Sequence, residues 1–347
     1  MRIVNAVYGD STGGRWIATL KTAELLAAAG HDVTLLIDPL DQRKIPIDFP
    51  TKITVHTLRN HGHYDLIASW RARQLLRASR IDLCICHSGR AIYMLKRASR
   101  GINPVVAFNH SHNIKRTLPA DAFICITPFM KKLVEQAGAN GKPCQVISNA
   151  VSIPDAALLR PARNEVFTVG AIARMARNKG LHHLLNALSL LRQQGVQIHA
   201  RIAGDGEERE QLQMQCQQLG LEQQVEFIGW IPAHAKTDFY NSVDIMCFTS
   251  EWDIQPLVIL ESFAYGKPLI GTDIDGPSTM YVHGETAYVV PPQDAPALAR
   301  AIVTLRDDAA LRQTLAITGR AKALREHSDA SISQQLESFC ASLIAVK

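Results

Sequence analysis

No apolar run in this 347-residue sequence could span a bilayer. The longest, such as "LLIDPL" from Leu35 and "PLVIL" from Pro256, fall well short of the roughly 18–20 residues a spanning helix needs. The seven cysteines, at 84, 86, 125, 144, 216, 247 and 340, include no Cys-x-x-Cys pair and no histidine at zinc-ligand spacing. That excludes a disulfide framework and a metal finger, and it leaves buried, reduced thiols. Cys84 and Cys86 alternate within "IDLCICHS", as two residues on one face of a buried strand do. "MRIVNAVYGDST" lacks the continuous apolar segment and cleavage site of a secretory leader, so it reads as a first strand and the chain is expected in the cytoplasm. Low-complexity tracts, G-x-G-x-x-G and a Walker A loop are also missing, which argues against disorder and against dinucleotide or P-loop chemistry.

The composition, 47% hydrophobic and 20% charged, is that of a globular protein, and the length suggests two domains. The net charge of +5 hides an asymmetry. Residues 1–164 hold 22 Lys/Arg against 11 Asp/Glu, and residues 165–347 hold 15 against 21. The basic excess is densest at Arg71, Arg73, Arg77, Arg80, Arg90, Lys96, Arg97 and Arg100, and continues at Lys115 and Arg116. Such density suits phosphates, nucleic acid or an anionic membrane surface.

Apolar strands and helical-period segments alternate along the chain. "MRIVNAVYG", "WIATLKTAELLAAAGH" and "DVTLLID" form a βαβ unit, and the alternation continues through "IDLCICHS", "NPVVAFNHS" and "DAFICIT". It restarts at "VFTVGAIA" and runs through "QIHARIAG", "VEFIGW", "DIMCFTS" and "PLIGT". Two Rossmann-like parallel-sheet domains are expected to face each other across a cleft, with a boundary near 155–165 and ligands outside the carboxyl ends of the strands.

Three loops carry candidate chemistry. Gly13-Gly14, between the first strand and first helix, lets backbone N–H groups approach an anion or simply makes a tight turn. "RMARNKG" sets Arg174, Arg177 and Lys179 at a helix start, where cations oppose the helix dipole unless an anionic ligand lies among them. In "TSEWDIQPLVILESFAYGKPL", Pro256 suits a first helical position, the N–H groups of Leu257 and Val258 are free for an anion, and Glu261 sits a turn further in, suited to accept hydroxyl protons. Glu251 and Asp253 precede this helix, as a sugar contact or as partners of its dipole.

These segments, in this order, resemble the retaining GT-B-fold nucleotide-sugar glycosyltransferases of family 4, the group 1 glycosyltransferases, over most of the chain and most heavily over residues 165–295. "GAIARMARNKG" looks like that family's Arg-x4-Lys-Gly loop, which implies that Arg174 and Lys179 hold the donor diphosphate. The family's closing motif has two glutamates separated by seven residues, one near the transferred sugar and one bonding the ribose. Glu261 matches the second, while Asp253 stands where the first is expected and Glu251 lies two positions earlier, so the sugar contact falls to one of these two. Pro256 stands where the family usually has glycine. Gly13-Gly14 match the glycine pair facing the diphosphate. "AFNHSHN" resembles the histidine segment near the donor sugar, with His110 preferred to His112.

The resemblance implies a GT-B architecture with an acceptor-side domain at 1–160, a donor-binding domain at 161–325, and a C-terminal helix at 326–347 that crosses back to the first domain or packs locally. It implies hexosyl transfer from a nucleoside-diphosphate sugar, with retention, to a glycan or glycolipid hydroxyl in lipopolysaccharide or other envelope polysaccharide synthesis. No enzymic nucleophile, cofactor or metal is expected, and no Asp-x-Asp triplet is read as a metal site. The basic first half suggests an enzyme peripheral on the anionic inner-membrane surface. A nucleotide-sugar epimerase of the same fold is one competing reading. A basic-face nucleic-acid binder is another, against which stands the lack of interleaved aromatics, so no nucleic-acid partner is expected.

Overall fold

The computed structural model describes residues 1–9, 13–162 and 164–345. The chain forms two compact units, Met1–Ala150 with Asp329–Lys347, and Val151–Ser328. The boundary expected at 160/161 falls inside the second unit, because Val151 N donates to His327 O at 2.8 Å and pairs with Ser328 in an isolated bridge.

In the first unit, β1 (Arg2–Ala6), β2 (Asp32–Ile37), β3 (Thr54–Thr57), β4 (Leu83–Cys86), β5 (Val105–Asn109), β6 (Ala122–Cys125) and β7 (Cys144–Val146) form one parallel sheet in the order β3-β2-β1-β4-β5-β6-β7. The central strands are buried along their length, as a sheet covered on both faces requires. The helices are α1 (Gly13–Ala28), α2 (Leu66–Ala78), α3 (Gly89–Ser99) and α4 (Pro128–Val134), joined by the C-terminal α11 (Asp329–Ala345). Asp65, Ser88 and Thr127 cap α2, α3 and α4 through side-chain oxygens, which is why these helices start where they do. α11 belongs to this unit: Lys21 of α1 meets Asp329 at 2.7 Å, and Ser333 Oγ donates to Leu25 O. The seven cysteines are free, and all but the half-buried Cys144 are buried.

In the second unit, β8 (Thr168–Ile172), β9 (His199–Ala203), β10 (Val225–Gly229), β11 (Ile245–Phe248), β12 (Leu269–Thr272) and β13 (Tyr288–Val290) form a parallel sheet in the order β10-β9-β8-β11-β12-β13. Its helices are α5 (Leu181–Gln193), α6 (Arg209–Gln218), α7 (Lys236–Asn241), α8 (Leu257–Ala264), α9 (Ala295–Asp307) and α10 (Ala309–Lys322). Two apolar clusters flank this sheet, one built on α5 and α9, the other on α8. Each sheet reverses winding direction once, between β1 and β4 and between β8 and β11, and ligands of open α/β sheets bind outside such points.

Candidate active site

At the β8/β11 reversal the loop after β8 meets the loop after β11. Glu251 N donates to Asn178 O at 2.8 Å, and Thr249 Oγ1 donates to Lys179 O at 2.9 Å. The approach is close enough to demand glycine: a Cβ on Gly180 would lie 2.0 Å from Thr249 O, and Gly180 has φ +66. Lys179 is thereby aimed at Asp253, Nζ to Oδ2 2.6 Å, with the two side chains 23% and 18% exposed. Asp253 Oδ1 also accepts from Ile254 N at 2.8 Å.

Glu251 points elsewhere. Its Oε1 lies 3.1 Å from His183 Nε2 and 3.5 Å from His182 Nε2. Burial pushes the Glu251 carboxyl up, but hydrogen bonds from Gln293 and His183, with the histidine charges, outweigh this and hold it below its ordinary value. Burial, then the charges of His183 and Arg177, push His182 down to about 4 despite the opposing pull of Glu251. His182, His183 and Glu251 bring their ligand atoms within 4.8 Å of one another, a set chemically able to hold a divalent ion. Arg174 stands further out, 69% exposed and 3.8 Å from Glu207.

Pro256 is the N-cap of α8 (φ −69, ψ 125) rather than its first helical residue, and no side chain caps the helix. The first-turn N–H groups of Leu257 and Val258 are therefore unclaimed by a capping oxygen, the arrangement that suits an anion. Glu261, the fifth residue of α8, is half-buried, and its two oxygens have separate partners. Lys236 Nζ donates to Oε1, and Tyr240 OH donates to Oε2 at 3.2 Å, with Tyr240 stacked on Tyr265. The charge inside an apolar stripe is thus balanced from α7.

In the first unit, side chains gather where β1, β4 and β5 end. His110 follows β5, and its Nε2 is 2.8 Å from His87 Nδ1. His87 Nε2 is 2.8 Å from Asn5 Oδ1, and Asn5 Nδ2 donates to Thr19 O at 2.8 Å. Burial, then the Arg15 charge, lowers His110 to about 3. Burial, then His110 and Arg15, holds His87 well below its usual value. Both rings are therefore neutral at pH 7. His112 is exposed. Gly13, with φ +62, opens α1, and Gly13 and Gly14 are both exposed with open space where a Cβ would stand. The preceding "DST" lies outside the described residues.

The sequence reading thus placed Lys179, Asp253, Glu251, Leu257, Val258 and Glu261 in loops and a helix start that converge on one sheet reversal, and His110 at another. It missed Lys236, Tyr240, His87 and Asn5, whose roles rest on contacts between residues far apart in the chain. It also overlooked the Asp-x-Asp triplet Asp273-Ile274-Asp275; both acids are exposed past β12, outside the His182, His183 and Glu251 group.

Residues 160–322 match the model of glycosyl transferases group 1, and residues 12–153 match that of Glycosyltransferase Family 4. The lipopolysaccharide core biosynthesis glycosyltransferases LpsE and LpsD of Rhizobium meliloti (strain 1021) are 27% and 26% identical to this chain, each over 92% of it and over 93% and 92% of themselves. The crystal structure of Anabaena Alr3699/HepE in complex with UDP superposes with a TM-score of 0.83 at 21% identity, over 99% of this chain and 100% of that one. The apo lipopolysaccharide outer core galactosyltransferase WaaB does so at 0.79 and 17% identity, over 99% of both. The chain is a group 1 glycosyltransferase of the GT-B fold.

Proposed function

We propose that the enzyme transfers a hexosyl group from a nucleoside-diphosphate sugar, with retention at the anomeric carbon, to a hydroxyl of a lipopolysaccharide-type or other envelope glycan or glycolipid. The reading rests on one arrangement above all: Lys179 meets Asp253 at the β8/β11 reversal, beside a helix start left without a side-chain cap. Lys179 and Arg174 supply cations, and Leu257 and Val258 supply N–H groups, for charge that develops on the departing diphosphate. Glu261 accepts from the ribose hydroxyls. Asp253, already aimed by Lys179, takes the donor-sugar contact in preference to Glu251, whose carboxylate is engaged by two histidines. The acceptor hydroxyl oxygen bonds to the anomeric carbon as the bond to the diphosphate oxygen breaks, and the hydroxyl proton passes to that oxygen, so no enzymic nucleophile or resident metal is needed. The resemblance gives Gly13-Gly14 a place facing the diphosphate and His110 a contact to the donor sugar.

The similarity to the lipopolysaccharide glycosyltransferases LpsE, LpsD and WaaB supports a lipopolysaccharide acceptor, and the UDP complex of HepE supports a nucleotide-sugar donor. The basic first unit suits work at the cytoplasmic face of an anionic inner membrane, without a nucleic-acid partner. A thermal-shift screen of UDP-, GDP- and ADP-sugars, followed by transfer to deacylated core oligosaccharide and NMR of the product anomer, tests the reading. One donor should stabilise the protein and give an axial-to-axial or equatorial-to-equatorial product. An inverted product overturns retention, and stabilisation by no donor overturns the donor assignment.

A further inference from the structure

Four exposed large apolar side chains fall within one seven-residue run: Tyr64 at 77%, Leu66 at 70%, Ile67 at 67% and Trp70 at 61%. Three of them lie on α2, whose opposite face, Ala68, Ser69, Ala72 and Leu76, is buried. Leu66, Trp70, Arg73 and Arg77 follow the i, i+4, i+7, i+11 spacing of a single helix stripe, so one edge of α2 runs from apolar to cationic along its axis.

The cationic end is built rather than scattered. Arg73, Arg77 and Arg80 line a cavity of about 180 Å³ together with Ser99 and Ile102. Arg73 Nη1 is buried there without a hydrogen-bond partner among the described residues. The two helices that frame the cavity both run into arginines in the left-handed region, Arg80 (φ 47) after α2 and Arg100 (φ 48) after α3. Glycine normally takes that conformation, so placing arginine there retains charge against backbone preference. Arginines near helix C-termini also complement the helix dipole, but that explains neither the buried orphan donor nor the apolar half of the stripe.

Charge is lopsided across this region. Residues 59–102 hold nine Lys/Arg against two Asp/Glu. Both acids are spent locally: Asp65 caps α2, and Asp82 accepts from Arg2 N. Among the described residues, Lys96 alone of the nine cations has a carboxylate partner, Asp121.

We propose that the outer face of α2 is the docking surface for an anionic phospholipid bilayer, with Leu66, Ile67 and Trp70 at the boundary of headgroups and acyl chains and a lipid phosphate oxygen bound by Arg73, Arg77 and Arg80. The inference rests on the peripheral-membrane reading above and names the surface that performs it. A bilayer fits because it offers apolar depth and phosphate in one plane, the two chemistries this stripe presents side by side. A helix of this length lies in that plane as a single anchor about 20 Å long.

Flotation of the full chain with phosphatidylcholine vesicles, with and without phosphatidylglycerol, tests this. The wild type is expected to float only with the anionic vesicles, with blue-shifted tryptophan emission that Trp70→Phe abolishes. Ile67→Ser/Trp70→Ser and Arg73→Gln/Arg77→Gln should each weaken binding about tenfold or more while leaving donor-sugar hydrolysis unchanged, and Arg325→Gln, an exposed change in the second unit, should alter neither binding nor hydrolysis. Wild-type flotation with unaltered binding by both double variants overturns the assignment to α2 and leaves the membrane reading intact. Absence of wild-type flotation overturns both. Concentration-dependent self-association that only the double variants lose makes α2 a protein interface and overturns the lipid assignment.

Discussion

His110 Nε2 lies 2.8 Å from His87 Nδ1, and this contact fixes the proton positions of both rings. Asn5 uses its NH2 group on Thr19 O, so its Oδ1 is an acceptor and His87 must carry its proton on Nε2. His87 Nδ1 is then the acceptor for His110 Nε2–H, and His110 Nδ1 is the lone-pair nitrogen able to take a hydroxyl hydrogen bond.

Removing His110 should therefore cost more than removing its support. His110→Ala is expected to lower kcat/KM about a hundredfold, and His87→Leu about tenfold with donor affinity little changed. Steady-state kinetics with isothermal titration of the donor separates the two. Equal losses in both variants, or none in His110→Ala, would remove this histidine from the donor contact.

The same pair shapes the pH dependence of stability. Both histidines titrate below their ordinary value of about 6.5 in the folded chain, His110 at about 3. Between those limits the unfolded chain binds protons that the folded chain refuses. Their contribution to stability is complete above about pH 6.5 and is lost as pH falls. His182 and His327, both lowered to about 4, act in the same direction. Tm measured from pH 8 to pH 4 should fall on the acid side, and His87→Gln/His110→Gln should flatten that slope. An unchanged slope in the double variant contradicts the assignment.

The pair Lys179–Asp253 gives a sharper test of the site. Lys179→Ala and Glu261→Gln are each expected to reduce transfer by orders of magnitude with the far-ultraviolet spectrum unchanged. Asp253→Asn should reduce kcat more than Glu251→Gln, because Asp253 is aimed by Lys179, to which we assign the diphosphate, while Glu251 is held by His182 and His183. The reverse ranking in kinetics would hand the donor-sugar contact to Glu251.

How much of this could be read in advance depended on sequence separation. The alternation of apolar strands with helical periods exposed the two parallel sheets, and Lys179-Gly180 and Glu261 stood out because loop and helix-start chemistry is local. The short edge strands β3 (TVHT), β7 (CQV) and β13 (YVV) carry too few residues for a period. Pro256 was one position off because a helix cap depends on its own φ and ψ. Lys236 and Asn5 were illegible for another reason: Lys236 meets Glu261 across 25 positions and Asn5 meets His87 across 82, pairings that only the strand order brings about.

Metal independence is open to a direct assay. Exhaustive treatment with a chelator should leave turnover within about twofold, since the proposed reading gives Lys179, Arg174 and the α8 N–H groups the role on the diphosphate that a divalent ion would otherwise take. Loss of activity restored by zinc, and absent in His183→Ala, would instead make His182, His183 and Glu251 a working metal site.

Glu261 supplies the last test, because its two oxygens have different partners. Lys236 holds Oε1 and Tyr240 holds Oε2, so the carboxylate is fixed in orientation and still has lone pairs for a ribose diol. Lys236→Met leaves a half-buried carboxylate without its cation, a change worth about 1–3 kcal/mol. If the ribose bonds to this carboxylate, the loss falls on donor binding: KM for the nucleotide sugar should rise about tenfold while kcat changes little. Tyr240→Phe removes one hydrogen bond but leaves the lysine in place, and it should raise KM less than Lys236→Met does. A fall in kcat with unchanged KM in Lys236→Met would place Lys236 at the reacting diphosphate instead of behind the ribose.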